Sequence, residues 1–269
     1  MTSTEPIGIF DSGIGGMTVA RAVKDLMPNE RIVYFGDTAH LPYGDKSAAA
    51  IQAYSVKITD VLLKQGCKVI LIACNSASAA AFDLVKEYTG KKAKVFNVID
   101  PVVDHVREHY EKATIGLIGT KQTVNSGVYK DKVDHASGKI ALKSLATPLL
   151  VPMIEEGFIR NHISAEIIEQ YLSDGTLENI EALILGCTHY PLIKSQIDKY
   201  YQGKVEVIDS AKAVARALKG FLEYNNLQRK MAQDKPDQFF VSDYTPAFEE
   251  TTKLFFKELV HLEKHQLWE

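Results

Sequence analysis

The chain has 269 residues, 46% of them hydrophobic, enough for one large or two modest globular cores. A net charge of −3 and a pI near 6.3 leave no basic footprint for a polyanion, which excludes nucleic acid as the expected partner and leaves small polar substrates open. No apolar run approaches the roughly 20 residues of a membrane span, and the first residues, MTSTEPIGIF, lack the basic and apolar regions of a secretory signal, so a cytoplasmic protein is expected.

The first apolar run, PIGIF, leads into a turn, DSGIGG, and a helix over 17–27. The turn resembles a phosphate cradle, but the dinucleotide fingerprint would need a third small residue at Thr18, and Asp11 stands where a phosphate would lie. The glycines can let a backbone approach a ligand, and amides at the start of the helix can meet a carboxylate. The competing reading is a tight turn with Asp11 or Ser12 as a helix cap. The second run, RIVYFGD, is followed by GDTAHLPYG, a loop holding Asp37, His40, Pro42, Tyr43 and Gly44. That loop is either a ligand-binding loop or plain turn chemistry. A helix is expected over 48–66.

The third run, KVILIAC, ends at Cys74, and a helix is expected over 77–89. A thiol between a strand and a helix N-terminus has its pKa lowered from the usual value of about 8.5. Cys67, in KQGCKV, has no polar companion and reads as a buried structural cysteine. The runs KVFNVID and TIGLIGT follow, then a helix over 164–175 and the run IEALILGC, which ends at Cys187 with Thr188, His189 and Pro191 after it. Cys187 and His189 could pair as nucleophile and base or simply pack. The run KVEVID, a polar connection over 225–237, the run QFFVSD and a helix over 246–264 complete the chain. Three cysteines, an odd number and widely spaced, fit reduced thiols rather than disulfides and match no zinc pattern, so no metal is expected.

Apolar runs alternating with helical patterns indicate an α/β protein with buried parallel strands. A weak internal repeat refines this. Residues 69–101 resemble 181–210, and 7–13 resemble 115–121, with offsets of 108 from Ile7 to Ile115, 113 from Cys74 to Cys187 and 109 from Asp100 to Asp209. Two similar α/β halves follow, and in such sheets ligands bind beyond the carboxyl ends of the strands, where Asp11, Cys74, Thr120 and Cys187 all fall. Two thiols in equivalent places suit the removal of a proton from one face of a carbon acid and its replacement on the other. A cysteine hydrolase would leave Cys74 unexplained, and a two-lobed amino-acid-binding protein without catalysis would need neither thiol.

The blocks FDSGIGG, GDTAHLPYG, ACNSASA and GCTHYPL resemble, in order and over nearly the whole chain, those of the cofactor-independent glutamate racemases of the aspartate/glutamate racemase superfamily. The resemblance implies interconversion of L- and D-glutamate without pyridoxal phosphate or other cofactor, supplying D-glutamate for bacterial peptidoglycan. Aspartate or hydantoin racemisation is the nearest alternative. It further implies that Cys74 takes the proton from D-glutamate and Cys187 from L-glutamate, with Asp11 assisting Cys74, and His189 and Glu155 assisting Cys187. Asp11, Ser12, Pro42, Tyr43, Gly44, Asn75, Ser76, Thr120, Thr123, Thr188 and His189 would hold the substrate. Ser76 stands where the family most often has Thr. Two domains related by a pseudo-twofold, residues 1–98 with 210–269 and residues 99–209, would close over the site, and a homodimer is the expected assembly.

Overall fold

The structure, a computed structural model, describes residues 1–136, 138–233 and 235–268. The first sheet is built from β1 (Ile7–Asp11), β2 (Ile32–Gly36), β3 (Val69–Ile72) and β4 (Lys94–Asn97), connected by α1 (Met17–Leu26), α2 (Ala48–Lys64) and α3 (Asn75–Thr89). After α4 (Asp100–His109), the second sheet is built from β5 (Thr114–Gly119), β6 (Ala141–Ala146), β7 (Ala182–Gly186) and β8 (Glu206–Asp209). Its connections are α5 (Lys121–Asn125) and α6 (Val128–Ala136), then α7 (Leu150–Glu155) and α8 (His162–Leu172), then a 3₁₀ turn (Tyr190–Ile193) and α9 (Lys194–Tyr201). The chain then returns through α10 (Ser210–Tyr224) and adds β9 (Gln238–Val241), α11 (Pro246–Phe256) and β10 (Glu263–Lys264) to the first sheet.

Every strand pairing is parallel. The central strands β1, β2, β3 and β7 are buried along their whole lengths, which is why each reads as an unbroken apolar run. The first sheet runs β10-β9-β2-β1-β3-β4 and the second β6-β5-β7-β8. The order of β2-β1-β3-β4 is therefore repeated by β6-β5-β7-β8, and the register repeats as well: Ile7 lies beside Val69 as Ile115 lies beside Ala182. The repeat visible in the sequence is thus a repeat of topology. One buried cluster takes residues from both sheets, among them Ile9, Met17, Leu183, Leu185, Val214 and Phe255, so the two halves share a core through α1, α10 and α11.

Several elements differ from expectation. The helix expected over 246–264 ends at Phe256, where Lys257 takes a left-handed backbone, and residues 263–264 instead pair with β9. The strand β6 was not foreseen, because an edge strand with one neighbour is only half buried and ALKSLA carries no apolar run. The helix expected from 77 begins at Asn75, with Cys74 as its N-cap, which moves Asn75 and Ser76 into the first turn. The polar connection near 225–237 is not wholly exposed, since Arg229 N–H donates to Glu30 at 2.8 Å; residue 234 lies outside the described residues.

That contact belongs to a buried charge cluster. Lys68 and Glu30, both fully buried, form an ion pair at 2.7 Å, and the Lys68 ammonium also donates to the carbonyls of Ser3 and Leu227. Burial pulls the Lys68 pKa down, against the opposing effect of Glu30. Removing one partner of such a pair strands the other charge in the interior. Lys68→Met is therefore expected to lower stability by about 3–5 kcal/mol, measured by urea unfolding, with the slope of the transition unchanged.

Candidate active site

The carboxyl ends of β1, β3, β5 and β7 face one another across a small, nearly closed cavity. It is lined by Ser12, Pro42, Tyr43, Gly44, Asn75, Ser76, Thr120, Glu155, Thr188 and His189, with both Cys74 and Cys187 on its wall. Twelve of the fourteen residues expected at the site therefore line one space. Asp11 and Thr123 do not. Asp11 is fully buried behind the wall, and Thr123 sits behind Ser76 and Thr120, whose hydroxyls it meets at 3.3 and 3.1 Å. Gly13, Leu41, Val151 and Gly186, not named as site residues from the sequence, complete the lining; Val151 comes from α7, and nothing in its local sequence marks it.

The loop after β1 is shaped by the protein's own side chains. The Asp11 carboxylate accepts hydrogen bonds from the amides of Gly13 at 3.2 Å and Gly16 at 2.9 Å. The amides of Met17, Thr18, Val19 and Ala20 donate to carbonyls of the same loop. The helix amides expected to receive a ligand carboxylate are therefore already satisfied, and neither Asp11 nor Ser12 caps the helix: Gly16 is the N-cap, no side chain caps it, and Asp11 instead ties the turn together through the Gly13 and Gly16 amides. A side chain on Gly15 would put its Cβ 2.6 Å from His189 Nδ1 and 2.8 Å from Thr188 Oγ1. One on Gly16 would strike Asp11 and lie 2.9 Å from the Tyr34 hydroxyl. These glycines admit His189 and Asp11, not a phosphate.

Around the two thiols the geometry is asymmetric. Cys74 Sγ accepts from the Ala77 amide at 3.4 Å and lies 3.8 Å from Ser12 Oγ. The expectation of a lowered Cys74 pKa is reversed: burial, reinforced by the Asp11 charge, outweighs these hydrogen bonds and pushes the thiol up to about 12. Asp11 is itself raised, by burial, against the nearby His189 and the loop amides, and its Oδ1 has no partner. On the other side, Cys187 Sγ lies 3.8 Å from His189 Nδ1, and His189 Nε2 lies 3.0 Å from Glu155. Burial alone would pull the imidazole down, but its hydrogen bonds to Cys187 and Glu155 push it up to about 10. At neutral pH the cavity thus carries a protonated thiol on one wall and a sulfur facing an imidazolium on the other.

No Lys or Arg lines the cavity among the described residues, so apart from the His189 imidazolium, already engaged by Glu155, a bound carboxylate is met by neutral donors. Ser76 Oγ reaches Thr120 Oγ1 at 2.9 Å, joining α3 of the first sheet to the loop after β5 of the second. The Thr18 hydroxyl donates to Thr188 O at 2.9 Å across the same divide. The Tyr43 hydroxyl donates to Asp37 at 2.6 Å, where Ser242 and His40 also bind, so it braces the loop rather than remaining free for a ligand. Cys67, 3% exposed, packs against Gly8 far from these groups, as a structural cysteine should.

Residues 17–218 match the model of the Asp/Glu/hydantoin racemase family. The chain is 38% identical to a glutamate racemase of Chlorobaculum parvum over 95% of this chain and 93% of that one, and 43% identical to one of Aquifex aeolicus over 81% and 83%. The solved glutamate racemase of Francisella tularensis in complex with D-glutamate superposes with a TM-score of 0.91, at 38% identity and 98% coverage of both chains.

Proposed function

Because this chain belongs to the Asp/Glu/hydantoin racemase family, we propose that it interconverts L- and D-glutamate, with Cys74 and Cys187 exchanging protons with opposite faces of Cα and no cofactor taking part. The observation that carries this reading is the pair of thiols, one after β3 and one after β7, at matching positions of two repeated sheets and on the walls of one cavity. A binding protein has no need of either thiol, and a hydrolase has no need of the second.

From L-glutamate, the Cys187 thiolate beside the His189 imidazolium takes the Cα proton, and the electron pair of the C–H bond remains on the substrate. Cys74 then gives its proton to the opposite face. The products are D-glutamate, a Cys187 thiol and a Cys74 thiolate, with no net gain or loss of protons. From D-glutamate the roles reverse. The raised Cys74 pKa suits its role as acid in the first direction, and Asp11 supports it as base in the second. Hydroxyls and amides of Ser12, Asn75, Ser76, Thr120 and Thr188 hold the substrate carboxylates, and Thr123 supports Ser76 and Thr120. In a closed cavity such donors stabilise the developing carbanion more than they would in water.

Two domains, residues 1–98 with 210–269 and residues 99–209, closing over the substrate, complete the reading; the separate sheets on either side of Asp100 and Asp209 support it. D-glutamate for peptidoglycan, made in the cytoplasm by a homodimer, is the biological counterpart.

Incubation with L-glutamate in deuterated water, without pyridoxal phosphate, should abolish optical rotation and place deuterium at Cα. Unchanged glutamate with turnover of aspartate would sink the assignment. A further expectation concerns the glycine turn. Gly15→Ala should reduce kcat about 10-fold or more while circular dichroism stays native, because the new methyl displaces the His189 ring and misplaced catalytic groups lose rate steeply.

A further inference from the structure

Asn75 opens α3, is 2% exposed and lines the cavity. Its Oδ1 accepts a hydrogen bond from the Tyr129 hydroxyl at 2.8 Å, whereas its Nδ2, equally buried, has no partner in the chain. Buried amide donors are nearly always paired, so this one is kept for an acceptor that the chain does not supply. The difficulty is orientation. A free carboxamide can present either its oxygen or its NH₂ to the cavity, and the oxygen would repel a carboxylate. With no Lys or Arg on the wall and the His189 imidazolium already engaged by Glu155, that choice matters more than it would in a strongly cationic site.

Tyr129 resolves it. The residue lies on α6, is 1% exposed and does not line the cavity. It belongs to the buried cluster that also holds Val133, Ile99 and Val102, and burial raises its pKa, so it stays protonated and able to donate. Among the described residues, Asn75 is the hydroxyl's one hydrogen-bond partner. The bond also runs from a helix of the second sheet to a helix of the first, beside the Ser76 to Thr120 link.

We infer that Tyr129 is a positioning residue of the racemisation site: its hydroxyl holds the Asn75 carboxamide with the NH₂ directed at a substrate carboxylate, and does so only when the two sheets are brought together. This rests on the glutamate racemase reading above. Substrate capture is thereby tied to closure, because a separated Tyr129 leaves the amide free to turn.

Three variants test it in the racemase assay. Tyr129→Phe keeps the ring and removes the hydroxyl; KM for both enantiomers should rise about tenfold with kcat changed by less than about threefold. In an Asn75→Ala background the same change should add nothing, whereas a packing role for the hydroxyl would add its full effect again. Asn75→Asp, which leaves Tyr129 untouched, should raise KM at least tenfold beyond Asn75→Ala, because a carboxylate oxygen then faces the substrate. Wild-type KM in Tyr129→Phe, additive effects in the double variant, or equal KM for Asn75→Asp and Asn75→Ala overturns the inference while leaving racemase activity standing. Wild-type protein that leaves glutamate unchanged overturns the functional reading and this inference with it.

Discussion

Replacing either Cys74 or Cys187 by alanine is expected to lower glutamate racemisation by about 10³-fold or more in both directions, whereas Cys67→Ala leaves it within about twofold. Each turnover uses both thiols, one as base and one as acid, so neither direction survives the loss of one group. Overall folding should be retained, since a cysteine-to-alanine change at the cavity wall removes one atom from a surface that already faces open space. The informative readout is exchange without inversion. Cys74→Ala retains the Cys187 and His189 pair, so it should exchange the Cα proton of L-glutamate with deuterated solvent and return it to the same face. Cys187→Ala should do so for D-glutamate, more slowly, because its remaining thiol is pushed up to about 12. The same enantiomer preference in both variants would overturn the assignment of faces, and wild-type racemisation in either would overturn the two-base account.

The second large effect concerns the groups beside each sulfur. His189→Asn is expected to reduce kcat from L-glutamate about 10²-fold, because the imidazolium 3.8 Å from Cys187 Sγ no longer stands beside the sulfur that takes the proton in that direction. Asp11→Asn should reduce kcat from D-glutamate instead. Its charge raises the Cys74 pKa, and without it the Cys74 thiolate is a weaker base. A thermodynamic constraint sharpens both tests. Enantiomers have equal free energy, so kcat/KM must be the same in the two directions for every variant. The asymmetry can therefore appear only as kcat and KM falling together in one direction. A variant whose kcat falls equally in both, with KM unchanged, would show that the residue serves the site as a whole. Steady-state rates from each enantiomer, followed by circular dichroism, separate these outcomes.

Most of the chemistry was legible because it lies where strands end. An apolar run followed by Cys-Asn-Ser or Cys-Thr-His marks a strand terminus by composition alone, and the offset near 110 residues pairs the two termini before any coordinate is known. The element bounds were less legible where the local pattern was silent. The edge strand β6 lacks an apolar run because only one neighbour covers it, and α11 stops at Lys257 through a backbone turn that the amphipathic period does not register. Tyr129 lay beyond sequence reasoning, because its partner is 54 residues away on the other half.

By itself, then, the sequence determined the α/β class, the repeated halves and the pairing of Cys74 with Cys187, while most of the cavity wall was implied only by the resemblance to the racemases. These depend on patterns local to the chain, periodicity and residue type, which survive without knowledge of packing. The tertiary structure decided the rest. It showed that the Gly13 and Gly16 amides serve Asp11 while carbonyls of the turn receive the first amides of the helix, that burial drives Cys74 upward where a helix terminus alone would lower it, and that His189 is held between Cys187 and Glu155. The burial of Cys74 beside Asp11 and the reach of Glu155 to His189 depend on desolvation and on residues distant in sequence, neither of which exists until the elements are packed, and the bonds of the turn depend on a backbone path that composition does not fix.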